Sequence, residues 1–386
     1  MKEIAIVVVT YNRLTSLQRL LSSLCEAFYV DYKPTLIISI DKSETDAIEK
    51  YADEFIWKHG KKIVDKHEVN LGLRPHMMSL GKWFDSFDAL VVLEDDLVVS
   101  KNFFFYTRKC VEKYYDYSDI AGISLYRYEF NYQTQTPFSP MRDEHDAFFM
   151  QSAMSWGEVW MKDSWRLFYN WYINNELFTQ SSELPKRVQG WGKNSWLKYH
   201  TRYCIENNLY FVYPYVSLTT NFGEAGVHST VGYRTAYQTV LQEGIKSNYN
   251  LPDFDNAVKY DGFFENILIY KQLGLTKDEL CIDLQGGNYN VLNKRYWLTT
   301  RIAEFKVLQS YSLQLRPIES NVIYELEGKD IFLYDTFKRE GKRKKDKNSG
   351  YLYFFHIDDV LNFLRSYGLR NFVVDFFRRL SILLKK

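Results

Sequence analysis

Three short, almost purely apolar runs, each ending in a polar cluster, constrain this chain more than any other feature. IAIVVV (residues 4–9), TLIISI (35–40) and ALVVLE (89–94) do not alternate as a strand with one wet face does. Each therefore reads as a strand buried on both faces of a sheet. Between the first two, LTSLQRLLSSLCEAF places Leu14, Leu17, Leu20, Leu21 and Leu24 at helical spacing. SETDAIEKYADEF and RPHMMSLGKWFDSF read as further helices, and KKIVDKHEV as another strand. Doubly buried strands alternating with amphipathic helices predict an α/β fold, with a mostly parallel, Rossmann-like central sheet covered by helices on both faces.

In sheets of this kind, ligands gather beyond the carboxyl ends of the strands. Three clusters fall there: Thr10-Tyr11-Asn12-Arg13, Asp41-Lys42-Ser43 and Glu94-Asp95-Asp96. The last sets three consecutive carboxylates at the end of a buried strand, where like charges are costly without a cation. Mg²⁺ or Mn²⁺ takes one or two protein carboxylates and fills its shell with water and phosphate oxygens, so the triplet suits a nucleotide-diphosphate site. Taken alone, it equally suits a solvated turn that caps the helix begun by SKNFFFYTRKC.

Bulk properties narrow the remaining classes. At 386 residues the chain has room for two domains. A net charge of +1 argues against wrapping nucleic acid through bulk electrostatics. Cys25, Cys110, Cys204 and Cys281 form no C-x-x-C pair, so neither a zinc ribbon nor a disulfide framework is indicated, and a reducing cytoplasm fits. No run approaches the roughly 18 uninterrupted apolar residues of a membrane span. Aromatic residues make up 17% of the chain, which serves either a tyrosine-rich core or stacking on sugar rings.

Taken jointly, Thr10-Tyr11-Asn12-Arg13, Asp41, Asn70-Leu71-Gly72 ahead of a helix, and the acidic triplet resemble the GT-A glycosyltransferases, family 2 in particular. VVLEDDLVVSKNFFFY, IAGISLY, FFMQSAMSWGEVWMKDSW and LTTNFGEAGVHST extend the resemblance over roughly residues 3–230. These stretches look like a group of bacterial polysaccharide glycosyltransferases, distantly similar to the eukaryotic N-acetylglucosaminyltransferase I that begins complex N-glycan branching.

The resemblance implies roles. Asp41 would accept a hydrogen bond from the nucleobase, with Thr10 and Arg13 also at the nucleotide. Asp96 would be the main ligand of Mn²⁺ or Mg²⁺, and Glu94 and Asp95 would hold ribose and donor sugar. His228 would complete the metal shell or contact the diphosphate, unless it is structural. Arg74, His76 and Lys82 would reach phosphates, or else form an exposed basic helix face. In the eukaryotic relative an Asp-Asp-Trp segment supplies the catalytic base, whereas Lys193-Asn194-Ser195-Trp196 stands at the matching stretch here. The base would then be Glu224, in the same loop as His228, or Glu158 or Asp163 near Trp156.

The implied activity is metal-dependent, inverting transfer of one sugar from a nucleotide diphosphate sugar, a UDP-sugar by family habit. The acceptor would be a growing glycan such as a lipid-linked capsule or surface polysaccharide. The missing carboxylate leaves a second reading open: a glycan-binding or scaffold protein that kept the fold and lost turnover. A GT-A catalytic domain is expected over 1–285, its nucleotide half over about 1–100 and its acceptor half over about 101–285. Residues 286–337 would form a small strand-containing extension, with SNVIYELEGKDIFLYDT strand-like. Residues 338–386 hold 13 basic and 5 acidic residues, and 351–386 read as amphipathic helices broken at Gly368. A basic run followed by such helices predicts attachment to an anionic membrane surface, placing the protein on the cytoplasmic face of the cell membrane.

Overall fold

The computed structural model describes residues 2–222, 237–288, 290–291, 293–341, 353–354 and 356–384. It separates into two units: residues 1–275 with 287–290, and residues 276–286 with 291–386.

The first unit opens with the expected alternation: β1 (Ile4–Thr10), α1 (Leu14–Cys25), β2 (Thr35–Ile40), α2 (Ala47–Glu54), β3 (Lys62–Lys66), α3 (Leu73–Ser79), β4 (Ala89–Glu94), β5 (Leu97–Val99) and α4 (Phe103–Tyr114). The apolar runs need two cores. Ile4, Ile6 and Val8 of β1 enter one with Leu17, Leu20, Leu21 and Leu24 of α1. Ala5, Val7 and Val9 enter the other, with Met77 of α3. Each of those four α1 leucines is fully buried, contributing roughly 2 kcal/mol relative to exposure. The helix expected over RPHMMSLGKWFDSF stops at Ser79 and tightens into a 3₁₀ turn, Leu80–Asp85. Packing is close there, since a Cβ on Gly81 would lie 2.7 Å from Trp165 Nε1.

The rest of the unit comprises β6 (Ile120–Ser124), a two-rung hairpin of β7 (Phe130–Asn131) and β8 (Thr136–Pro137), β9 (Ala147–Met150), β10 (Glu158–Met161), α5 (Lys162–Ile173), α6 (Lys186–Gln189), α7 (Leu197–Glu206), β11 (Tyr210–Pro214), β12 (Thr219–Asn221), β13 (Lys259–Tyr260) and α8 (Leu268–Leu273). Nine strands form one sheet in the order β13-β9-β11-β6-β10-β4-β1-β2-β3. Five of the eight neighbouring pairs are parallel, including β3-β2-β1-β4 throughout. β10 runs antiparallel between β4 and β6. β5 and β12 form a separate ribbon in which Leu97 pairs with Asn221.

Much of the aromatic content lies in the core. Tyr126, Tyr128, Tyr132, Tyr213, Tyr215 and Tyr260 are buried together. Several of their hydroxyls donate to backbone carbonyls, Tyr126 at Tyr237 (2.8 Å), Tyr213 at Ser152 (2.9 Å) and Tyr215 at Met141 (2.7 Å), which offsets the cost of burying them.

The second unit is a four-stranded sheet, ordered β14 (Leu280–Asp283), β15 (Tyr296–Thr299), β17 (Ile331–Arg339) and β16 (Phe305–Tyr311), with the short helix α9 (Ser320–Ile323). Two expectations are corrected. The boundary at residue 285 does not hold, because Leu280–Asp283 pairs in parallel with Tyr296–Thr299 and so belongs to the second sheet. The strand-like reading of SNVI also fails, since these residues turn as α9 and the strand begins only at Ile331. Two further helices, Ile357–Tyr367 and Leu369–Leu384, flank Gly368 as expected. No helix among the described residues is long and apolar enough to cross a membrane.

Candidate active site

The carboxyl ends of β1, β2 and β4 are adjacent, and the sequence clusters that follow them meet there. Asp95 is 2% exposed, and its two oxygens are committed: Oδ2 accepts from Thr10 Oγ1 at 2.8 Å, and Oδ1 pairs with the Arg13 guanidinium. The other guanidinium arm donates to Asp96 Oδ2 at 3.0 Å. The cation that the triplet calls for is thus supplied in part by the chain itself, from the turn between β1 and α1. Arg13 begins α1 without capping it through its side chain, because the guanidinium reaches across to the end of β4.

One guanidinium does not neutralise three carboxylates. Burial pushes Glu94 up to about 8, with Asp96 and Asp95 adding to the rise and Arg13 opposing it. Burial also pushes Asp95 up, while Arg13 and the Thr10 hydroxyl pull it back. Asp96 Oδ1 is buried and has no hydrogen-bond partner among the described residues. An orphaned carboxylate oxygen beside two further acids suits a hard divalent cation, so these residues fit a metal, which Asp96 would hold.

Asp41, 3% exposed, accepts backbone N–H bonds from Leu71 at Oδ1 (2.8 Å) and Gly72 at Oδ2 (2.9 Å), as well as from Lys42 (3.0 Å). It therefore ties the loop ahead of α3 to the end of β2. Gly72 makes this possible with a φ of 77°, a conformation open to glycine. Oδ1 accepts two of these bonds and Oδ2 one, so Oδ2 keeps a lone pair for a ligand.

The β5–β12 ribbon brings another segment to the same place. Phe222 N–H donates to Asp96 O at 3.2 Å, and its ring lies 3.5 Å from the Arg19 guanidinium of α1. Beyond the undescribed stretch, Tyr237 packs on the half-buried Trp156 at 5.3 Å between ring centroids. Trp156 precedes Gly157, whose φ is 99° and whose added Cβ would meet Thr219 Cγ2 at 2.8 Å. Glu224 and His228 lie outside the described residues.

Other expected site residues are held elsewhere. Glu158 and His200 are each 1% exposed and 3.2 Å apart, with Phe168 stacked on the imidazole at 4.1 Å. Burial pushes the Glu158 carboxyl up and His200 opposes it. A sealed carboxylate cannot meet an acceptor hydroxyl, so Glu158 is corrected from candidate base to a buried core pair. Asp163 is also corrected. Met161 of β10 pairs with Ala89 at the start of β4, so Asp163 emerges at the sheet edge opposite Glu94–Asp96. There it is exposed in the first turn of α5, where a negative charge favours the helix.

Arg74 donates to Tyr199 Oη at 2.8 Å, and Lys82 pairs with Asp65 at 2.8 Å. His76 does not lie on an exposed basic face: it is 2% exposed and bonded to Ser39 Oγ at 2.8 Å. Lys193 and Asn194 are exposed in the turn before α7. Among the described residues, Asp143, Glu144 and His145 also lie close enough to hold an ion. They precede β9, four strand positions from β4 and hence about 19 Å away, so they do not complete the shell of Asp96.

A Rossmann-like half-sheet that delivers an acidic triplet to the mouth between its first and fourth strands is the arrangement of the GT-A glycosyltransferases, and the first unit is of this class. Residues 5–177 match the family model for glycosyl transferase family 2, so this part of the chain carries a domain of that family. No curated protein matches the chain significantly. Among solved structures, TarS 1–349 of S. aureus in complex with UDP-GlcNAc is 14% identical over 60% of this chain and 62% of its own, with a TM-score of 0.39. GalNAc-T7 with UDP, GalNAc and Mn²⁺ is 13% identical over 55% and 42%, with a TM-score of 0.38. The mannosyltransferase PcManGT of Pyrobaculum calidifontis, in complex with GDP-Man and Mn²⁺, is 10% identical over 56% and 57%, with a TM-score of 0.34. The chain thus spans less than two thirds of each of these structures.

The resemblance located the clusters but missed how they engage one another. The pairing of Arg13 with Asp95 and Asp96, and the tie from Asp41 to the 70–72 loop, could not be read from the sequence. Only the short spacing from β1 to Arg13 hinted that a long cationic side chain could return to the neighbouring strand end.

Proposed function

We propose that the first unit transfers a sugar from a nucleotide diphosphate sugar, with UDP as the preferred carrier, to a growing glycan by a metal-dependent, inverting displacement. The observation that carries this reading is the Oδ1 of Asp96 at the end of β4, without a hydrogen-bond partner among the described residues, beside the Asp95–Arg13 pair and within the stretch that matches the family 2 model. Mn²⁺ or Mg²⁺ bound there would offset the charge of the departing diphosphate. Asp96 would hold the ion, Glu94 and Asp95 the ribose and donor sugar, and Asp41 the base. Thr10 and Arg13 would keep Asp95 fixed and charged. Arg74 would contribute to the nucleotide side of the cleft, and His228 to the metal or the diphosphate.

With Glu158 buried and Asp163 on the far edge, Glu224 is the remaining candidate base. Glu224→Gln then spares donor binding and suppresses transfer, because only proton abstraction is lost. The acceptor in this reading is a lipid-linked or surface polysaccharide, extended at the cytoplasmic face of the membrane. Release of nucleoside diphosphate from a panel of nucleotide sugars, with Mn²⁺ and with chelator, tests the proposal. A second reading, a non-catalytic glycan-binding protein, is favoured by the absence of a carboxylate across Lys193–Trp196. It predicts sugar binding with no diphosphate release from any donor.

A further inference from the structure

The helices Ile357–Tyr367 and Leu369–Leu384 form the most apolar exposed surface among the described residues. They meet at Gly368, whose φ of 85° turns the chain between them, and Phe363 and Phe372 approach to 6.4 Å across the turn. In the first helix, Ile357, Val360, Leu361 and Leu364 recur at the helical period, and Ile357 is 58% exposed. In the second, Leu369, Phe372, Val373, Phe376 and Leu380 share one side, with Leu369 at 64% and Phe376 at 53%. Side chains of this size on one stripe make an apolar patch that soluble surfaces rarely leave in water.

Charge selects the occupant. Residues 338–386 carry a net charge of +8, against +1 for the whole chain, so the remainder carries −7. Most of this excess lies in the basic run ahead of the helices, while within the helices Arg365, Arg370, Arg378 and Arg379 outnumber Asp358, Asp359 and Asp375 by one. Arg370, Arg378 and Arg379 occupy other sides of the second helix, clear of the centre of the stripe. A second copy docking through the same segment would set its basic run against another basic run. An anionic bilayer surface would take the stripe into its headgroup–acyl boundary and the arginines against its phosphates. At 1.5 Å per residue, 11 and 16 residues extend about 17 and 24 Å, short of the roughly 30 Å hydrocarbon core, so the helices lie along the surface.

We infer that this helix pair is the protein's docking surface for anionic lipid, entered by Leu369, Phe372, Phe376 and Leu380 and held by the flanking basic residues. The inference does not depend on the transfer reaction, and its test reads lipid binding alone.

The full-length protein is sedimented with vesicles of phosphatidylcholine, and with vesicles containing about one third phosphatidylglycerol, at low and high salt. The expected result is pelleting with the anionic vesicles at low salt and at least tenfold weaker partitioning at high salt. Phe372→Glu with Phe376→Glu should reduce partitioning at least tenfold while the far-ultraviolet circular dichroism is unchanged. Arg378→Gln with Arg379→Gln should lower partitioning and flatten its salt dependence. The inference is overturned if the intact protein ignores anionic vesicles at low salt, binds neutral vesicles equally well, or binds unchanged after the Phe substitutions. It is also overturned if, without lipid, those substitutions convert a dimer to a monomer, for then a second copy covers the stripe.

Discussion

Replacing Arg13 by Gln tests how the acidic triplet is held when no metal is bound. The change removes two charge-assisted hydrogen bonds, to Asp95 and to Asp96, from the junction of β1 and β4. Such bonds are each worth about 1.5–3 kcal/mol, and stranding a buried charge costs about 3–5 kcal/mol. Here the Arg13 side chain is 30% exposed and that of Asp96 24%, so solvent screens part of the loss. The Thr10 hydroxyl also stays on Asp95. The net loss is therefore expected near 2–3 kcal/mol, read as a lowered urea midpoint at unchanged slope in chelator. A dication between the same carboxylates replaces the guanidinium, so Mn²⁺ should stabilise the variant more than the wild type; at about 100 times its Kd an ion adds about 2.7 kcal/mol. The reasoning is refuted if the variant matches the wild type in chelator, or if Mn²⁺ raises both midpoints equally.

Other substitutions separate chemistry from packing. Asp96→Asn keeps the shape of the side chain but removes the charge of the proposed metal ligand. Transfer should fall at least about a hundredfold with the circular dichroism unchanged, whereas activity that persists equally in chelator would remove the metal from the mechanism. Glu158→Gln should leave the transfer rate within a few-fold of wild type, because the side chain is sealed beside His200; a large loss of turnover with intact stability would return it to the reaction. His76 is held down to about 4, chiefly by burial and secondarily by His67. Between about 4 and its ordinary 6.5 the unfolded chain binds the extra proton. Stability is therefore full above 6.5 and falls as the pH drops toward 4, by up to about 3 kcal/mol before levelling off. His76→Gln should flatten that slope in urea titrations run from pH 7 to pH 4.

The nucleotide-binding half of the fold was legible because its signals are local. Doubly buried strands must be apolar along their whole length, and α1 must repeat its leucines every three to four residues, so β1, β2, β4 and α1 stand out in a single sequence. The same logic put Thr10, Asp41 and Asp96 at strand ends, where a parallel sheet collects its ligands. Short strands carry less pattern. β14 was assigned to the wrong unit because four apolar residues fit either sheet, and only pairing with β15 decides between them.

Single residues divide in the same way. The sequence determined that three carboxylates sit together at the end of a buried strand, because adjacency along the chain and apolarity before it are both one-dimensional facts. It could not determine what meets them. Arg13 stands 82 residues from Asp95, and it reaches the acid only because β1 and β4 are neighbours in the sheet. Glu158 and Asp163 looked alike as acids near a tryptophan. Yet β10 runs antiparallel to β4, which buries the first beside His200 and sends the second to the opposite edge. Strand direction and neighbour choice depend on contacts between residues far apart in sequence, so tertiary structure alone decided which carboxylates face the site.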